Sequence, residues 1–441
     1  MTKQSGYATK QTGYFWTKQL GLNKDFLKEG KRMKKLTSIL LILALVLSLA
    51  ACSQTKQPDV NGDSSVSTSG DNTSPIPIAF IGSMTGLDEI YGYVSYSAAK
   101  MAVEQINEAG GVAGRQIELK CYDDRAEGIE AVNCARKAIL DDGCVAILTA
   151  SSTAGLISIN AVLEEFEVPC IAYAIGAELV THDEQGNTRP YMFRVNTTAS
   201  QCTELIGRYS ADVLGYRKAA IFYDITNSSG ADGVTYFTKG FESKGGKVTE
   251  VEAYKTGDVD FRAQLSKLKG AGDFDMLYNA AKYTELGLIA NQIKEIGLDT
   301  QLIGDRNWMM LDVFQVAGDN LEGSYFPSDI DFNDAKFDDF NKEFETRWGV
   351  HPGVAVGTDA YCVMDACTIL WNAIEHAMKD TGEITGAGIR DAIEKYSQDI
   401  DCLTATISID PETHNVRRPI GIFKIENQNF VLVDTYDVTF G

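Results

Sequence analysis

The stretch Pro75-Ile-Pro-Ile-Ala-Phe-Ile-Gly-Ser-Met-Thr-Gly86 decides how the rest of the chain is read. Ile76 to Ile81 form a short apolar run, small and polar residues follow, and a helical pattern begins around Tyr91. Val94, Ala98, Met101 and Ile106 then recur at helix spacing until Gly110-Gly111 stops them. An apolar strand, a small polar loop and an amphipathic helix together make the first half of a βαβ unit.

The unit returns along the chain. Further strands are predicted at Gln116 to Tyr122, Val145 to Thr149, Cys170 to Ala174, Ala219 to Tyr223, Met276 to Asn279 and Gln301 to Ile303. Helices are predicted at Ala131 to Leu140, Leu156 to Phe166, Thr235 to Lys244, Phe261 to Lys269 and Glu285 to Ile296. This alternation predicts an α/β, doubly wound fold, with parallel sheets covered on both faces. Ligands of such sheets sit beyond the carboxyl ends of the strands, where the strand order switches. The loops to inspect are therefore Gly82 to Gly86, Ala150 to Thr153, Tyr173 to Gly176, Asp224 to Gly230, and Lys282-Tyr283. Their glycines and hydroxyls let a ligand approach backbone N–H groups and offer donors without bulk.

Upstream, Met33-Lys-Lys-Leu-Thr-Ser-Ile-Leu-Leu-Ile-Leu-Ala-Leu-Val-Leu-Ser-Leu-Ala-Ala-Cys52 has the order of an export signal: Lys34 and Lys35, an apolar core from Ile39 to Leu47, then the small pair Ala50-Ala51. The apolar run is too short to span a bilayer, which takes about 20 residues. Residues 1–32 precede a complete signal, which makes Met33 the expected start. Residues 33–51 are the expected signal peptide. Residues 52–75, rich in Ser, Asp and Gly, are an expected flexible tether with too little apolar surface to offset ordering.

The whole chain of 441 residues carries a net charge of −21. Beyond residue 51 there remain 390 residues with 31 basic and 59 acidic side chains, a net charge of −28. That length exceeds what one core usually serves, so two domains are expected. The acidity argues against nucleic acid and against any membrane grip other than a lipid. Eight cysteines follow Cys52 with no C-x-x-C pair, and the four histidines are scattered, so no zinc spacing is present. Buried free thiols are favoured over disulfides; neither metal nor cofactor is expected.

The Leu-Ala-Ala-Cys52 sequence resembles a bacterial lipobox, which implies cleavage before Cys52 and lipidation of its thiol. The main body resembles the type I periplasmic binding proteins, in particular the branched-chain amino-acid-type substrate-binding lipoproteins of ABC transporters. The resemblance rests on Ile76 to Gly86, on Tyr91-Gly92, and on the phrase I-N-x-x-G-G-x-x-G-x-x-I-x-L ending in Tyr-Asp-Asp, from Ile106 to Asp124. It continues through Glu164 to Ala174, Phe222 to Gly233, Tyr283 to Leu298 and Gly357 to Ala377, and covers residues 76–435.

What the resemblance implies is two lobes joined by a three-segment hinge that close on a small ligand. The crossings are expected near Arg194 to Thr197, Gly323-Ser324 and Leu403 to Ile407. Lobe one would then be residues 76–196 and 325–403, and lobe two residues 197–324 and 404–441. The resemblance places a ligand carboxylate against the loops holding Ser151, Ser152 and Thr153, and Tyr173, Ala174 and Ile175, shielded by Tyr91. Hydroxyl and backbone donors can bind an anion without burying a second charge. The same three hydroxyls could instead cap the following helix. For an ammonium end the corresponding positions are Ser229, where relatives carry an aromatic residue, and Glu252, with Asp224 as a further candidate and Tyr283 and Asp305 behind it.

The function implied is an exported, lipid-anchored, monomeric solute-binding component of an ABC importer, partnered by permease subunits and taking an amino acid or amide-like molecule. It is expected not to be an enzyme. A ligand-sensing receptor without transport is one alternative. Another is a penicillin-interacting serine enzyme, because Ser97-Ala-Ala-Lys100, Ser158-Ile-Asn160 and Lys255-Thr-Gly257 follow the order of its motifs. Ser97, however, falls well inside its predicted helix, whereas that serine belongs near a helix start. A calcium loop beginning at Asp329 fails because Asp334 and Phe340 occupy the positions of its glycine and glutamate.

Overall fold

The first strand, β1 (Ile76–Gly82), is buried at every residue except Pro77, as expected for a central strand covered on both faces. The computed structural model describes residues 74–437 except 87, 150, 174, 175, 227, 282, 312 and 332, and only the backbone at 228, 229, 283, 284 and 354. The signal, the tether up to residue 73 with Cys52, and Ala150, Ala174 and Ile175 lie outside the described residues.

After β1 come α1 (Glu89–Glu108), β2 (Ile117–Asp123), α2 (Gly128–Leu140), β3 (Ile147–Thr149), α3 (Thr153–Phe166), β4 (Cys170–Ala172) and β5 (Met192–Arg194). These strands form an all-parallel sheet in the order β2-β1-β3-β4-β5. The order reverses between β1 and β3, which makes the edge beyond those two strands the switch point. Gly92 lets α1 approach that edge closely, since a Cβ there would stand 2.1 Å from the Ser83 carbonyl oxygen.

The chain then builds α4 (Ala199–Asp212), β6 (Lys218–Asp224), α5 (Ser228–Ser243), β7 (Lys247–Tyr254), α6 (Arg262–Ala271), β8 (Met276–Ala280), α7 (Tyr283–Glu295), β9 (Gln301–Gly304), α8 (Val313–Ala317) and β10 (Tyr325–Ser328). It returns through α9 (Asp338–Trp348), α10 (Pro352–Val356), α11 (Asp359–Thr381) and α12 (Gly386–Tyr396) to β11 (Ile400–Asp401), β12 (Thr406–Ile409) and β13 (Val416–Arg417), and ends with β14 (Pro419–Glu426) and β15 (Asn429–Asp437). The second sheet is ordered β15-β14-β10-β9-β8-β6-β7.

Two expectations are corrected here. The second sheet is not parallel throughout, because β14 pairs antiparallel with both β10 and β15. The late crossings also fall further along the chain. Strand β10, residues 325–328, belongs to the second sheet, which moves the second crossing from Gly323-Ser324 to the segment starting at Asp329. The third crossing moves from Leu403–Ile407 to Arg418, because β11, β12 and β13 form a separate small sheet that stays with lobe one. His414 fixes it there: its carbonyl accepts from the Arg194 N–H at 3.2 Å, and its ring stacks on Phe193 with centroids 4.0 Å apart. Hydrophobic pattern alone cannot assign a short strand to one of two neighbouring sheets.

Each lobe has its own core. Ile81, Ile147, Leu156, Ile159 and Met192 pack in the first, and Ile206, Ile221, Phe237, Tyr278 and Ile422 in the second. The cysteines of both lobes are free, and five of them, Cys144, Cys170, Cys202, Cys362 and Cys367, are buried as small apolar groups. Among the described residues no helix is long and apolar enough to cross a membrane.

Candidate functional site

A cavity of about 360 Å³ opens where the β1 and β3 ends of the first sheet face the residues after β9 in the second lobe. Its first-lobe wall begins with Gly82 and Ser83 and continues through Tyr91 and Gly92 of α1. The loop that carries Ser83 is held from below by the Tyr-Asp-Asp phrase. Asp123 accepts from the Met84 N–H (2.9 Å) and the Thr85 hydroxyl (2.6 Å), and Asp124 accepts from the Ser83 hydroxyl (3.2 Å). The two aspartates thus shape the rim rather than face the ligand.

Ser151, Ser152 and Tyr173 also line the cavity. The Ser152 hydroxyl caps α3, accepting from the Gly155 N–H and donating to the Ala126 carbonyl, each at 3.1 Å. That leaves the backbone N–H groups at the start of α3 as the donors, with the positive end of the helix dipole behind them. The Ser151 N–H is taken by the Thr149 hydroxyl at 3.0 Å. Its own Oγ is buried without a hydrogen-bond partner and sits where a Cβ on residue 155 would stand, 2.1 Å away. Thr153 is the first residue of α3 and is not part of the cavity wall.

The second-lobe candidates separate from this group. Asp224 ends β6 beside its own loop: it accepts from the Thr226 N–H (2.8 Å), the Thr226 hydroxyl (2.6 Å), the Thr256 N–H (3.1 Å) and the Thr256 hydroxyl. Burial pushes its carboxyl up, but these bonds outweigh burial and hold it below the usual range. Glu252 lies on the edge strand β7 and pairs with Lys267 of α6. Neither acid lines the cavity. The side chains of Ser229 and Tyr283 lie outside the described residues.

What the cavity has instead is a cluster of charge of which the sequence reading named only Asp305. Asp305, Arg306 and Asn307 follow β9, and Asp359 opens α11 across from them. Asp305 is 5% exposed and accepts from the Asn307 N–H (2.8 Å) and side-chain amide (3.1 Å). Burial pushes its carboxyl up to about 7, against those bonds and the nearby Arg306. Burial likewise raises Asp359 to about 7, with Arg306 opposing. Arg306 donates to the Thr197 carbonyl at 2.6 Å and lies 3.8 Å from Asp329. Met309 and Met310 complete this wall with adaptable apolar surface. The position of residues 305–307 just past a strand end was the available signal.

The motifs of the serine-enzyme alternative are not assembled. Ser97 is buried in the middle of α1, Lys100 on the same helix lies 3.9 Å from Glu104, and Lys255 follows β7 in the other lobe. Among the described residues no group of His, Cys, Asp and Glu side chains could hold a metal ion.

Residues 75–429 match the periplasmic binding protein family. A leucine-, isoleucine-, valine-, threonine- and alanine-binding protein of Pseudomonas aeruginosa is 31% identical over 250 residues, 56% of this chain and 65% of that protein. The chain thus spans just under two thirds of the length of that relative. Among solved structures, a branched-chain amino acid transporter substrate-binding protein from Streptococcus pneumoniae, in complex with isoleucine, shares the fold with TM-score 0.70 and 23% identity, over 82% of this chain and 100% of that one. A solute-binding protein of an ABC transporter from Rhodopseudomonas palustris, in complex with 3,4-dihydroxybenzoic acid, does so with TM-score 0.69 and 24% identity, over 82% and 97%. The chain belongs to the periplasmic binding protein family, and its fold is the type I fold of two α/β lobes.

Proposed function

We propose that this periplasmic binding protein is the extracytoplasmic solute-binding component of an ABC importer and that its solute is a small zwitterion of the amino-acid class. The observation that carries the reading is the mixed lining of the cavity. Ser151 and Ser152 bring the start of α3 and its N–H donors to the wall, and Asp305 and Asp359 bring carboxyls from opposite lobes, with Arg306 and Asp88 in the same wall. A carboxylate suits the α3 donors and an ammonium suits the carboxyls. Tyr91 and Tyr173 add flat surface to the lining, and closure of the lobes removes water from it.

The relatives support this reading: the Pseudomonas aeruginosa protein is described as binding aliphatic and hydroxylated amino acids. A second reading, an aromatic acid without an amine, draws support from the dihydroxybenzoic acid in the Rhodopseudomonas palustris structure. The lipobox resemblance at Cys52 and the acidic surface support attachment to the outer face of the cell membrane through lipid alone. A sensor without transport would use the same cavity, and only its genetic partners would differ.

The test is thermal unfolding against a panel of the common amino acids and hydroxybenzoates. A solute at 100 times its Kd stabilises the folded state by about 2.7 kcal/mol. A shift with one or a few amino acids is expected. A shift confined to the hydroxybenzoates selects the second reading, and a flat response to both classes removes the proposal.

A further inference from the structure

The three crossings between the lobes meet at a buried set of charges. Asp329, on the second crossing, accepts from the Thr197 N–H (3.0 Å) and hydroxyl (2.9 Å) on the first. Arg418, the third crossing, donates to the Val195 carbonyl on the first (3.0 Å) and the Asp329 carbonyl on the second (3.1 Å). It also lies 3.5 Å from Asp365 of α11. Arg306 closes the circle, donating to the Thr197 carbonyl and standing beside the Asp329 carboxylate. Two cations and two anions balance, as a desolvated cluster requires.

Three of these four charged side chains are at most 1% exposed, while Arg306 keeps 12% of its side chain open and forms part of the cavity wall. The hydrogen bond and the ion pair of its guanidinium both go to the crossings, to the Thr197 carbonyl and the Asp329 carboxylate.

We propose that Arg306, Asp329 and Arg418 form a clasp that holds the three crossings as one pivot, and that Arg306 is the positioning residue through which the floor of the cavity is fixed to that pivot. The lobes then turn about the clasp rather than through it, and the guanidinium stays in place as the cavity shuts. The role in closure rests on the solute-binding reading, whereas the clasp itself does not depend on which solute binds.

The test is hydrogen exchange of the ligand-free full chain, comparing wild type with Arg306→Gln, Arg306→Lys and Asp329→Asn. The Thr197 N–H, bonded to Asp329, reports the clasp directly. In Arg306→Gln the amides of residues 195–198 are expected to exchange at least tenfold faster, with β1 and β6 unchanged. Arg306→Lys is expected to restore protection to within threefold of wild type, because a charge near Asp329 is what the site needs. Unchanged exchange at 195–198, an equal rise in β1 and β6, or a lysine variant as unprotected as the glutamine variant would each overturn the proposal. If Asp329→Asn does not fold, the two Arg306 variants still decide it. A flat amino-acid panel would remove the solute assignment and leave this exchange result standing.

Discussion

Binding of an amino acid is expected to weaken steeply as the pH falls from 7 to 5, and the size of the effect follows from Asp305. Its carboxyl titrates at about 7 because burial penalises the charge more than Asn307 and Arg306 favour it. A solute ammonium needs the carboxylate, and at pH 5 that form is about one part in a hundred, two units below the titration point. Between pH 7, where about half of the carboxyls are charged, and pH 5 the affinity for the ammonium-bearing form should therefore fall about 50-fold, equivalent to about 2.3 kcal/mol at 1.36 kcal/mol per unit. The amino acid does not itself titrate in that range. In the ligand-free protein the sign is opposite: a raised carboxyl gives stability that is present at low pH and lost as the pH rises through about 7. Titration calorimetry at pH 5, 6, 7 and 8, in two buffers of different ionisation enthalpy, measures both the Kd and the proton released on binding. Asp305→Asn should weaken binding at pH 8 by tenfold or more and leave a shallower profile set by Asp359, which burial also raises to about 7. A Kd constant within twofold from pH 5 to pH 8, with no proton release, would refute the reasoning.

Glu252→Gln is expected to leave the Kd within twofold of wild type, because its carboxylate is committed to Lys267; a tenfold loss in calorimetry would return Glu252 to the site. Ser152→Ala removes the cap of α3 and should cost about 1 kcal/mol in urea unfolding, with a larger loss of affinity than of stability if α3 holds the carboxylate. Asp329 is pushed up by burial but held at about 2 by Arg306 and Arg418, so its contribution is present above about 4, the unfolded value, and disappears as the pH falls towards 2. The stability gap between wild type and Asp329→Asn in urea should narrow across that window; a gap that stays constant would show that its charge does not carry the effect. Cys52→Ser is expected to abolish labelling by an alkyne fatty acid and to release the protein from the membrane fraction of the cell.

The alternation of apolar strands and amphipathic helices determined the α/β class, because burial on both faces of a parallel sheet demands apolar runs that can be read residue by residue. Gly86, Gly110 and Gly111, all at positive φ, likewise mark turns that the sequence announces by itself. Part of the first-lobe wall was legible for the same reason: β1 and β3 flank the switch point, so Ser83, Ser151 and Ser152 fall where the strand ends point, whereas Tyr91 was implied only by the family resemblance. Asp224 and Glu252 lie away from the cavity, which the sequence could not tell, because an acid on a strand looks alike whether it meets a ligand, a threonine pair or a lysine. Only tertiary structure supplies Thr256 and Lys267.

The sheet membership of β10, the place of the third crossing and the meeting of Arg306, Asp329 and Arg418 also belong to the tertiary structure. Arg306 and Asp329 are separated by 22 residues, and Thr197 lies more than a hundred residues from either, so no local pattern encodes their contact. Local periodicity sets what each segment is, since it acts through neighbours three or four residues apart. Which distant charges must share one dry pivot is set by how two sheets and three crossings pack, and that information exists only once the chain has closed on itself.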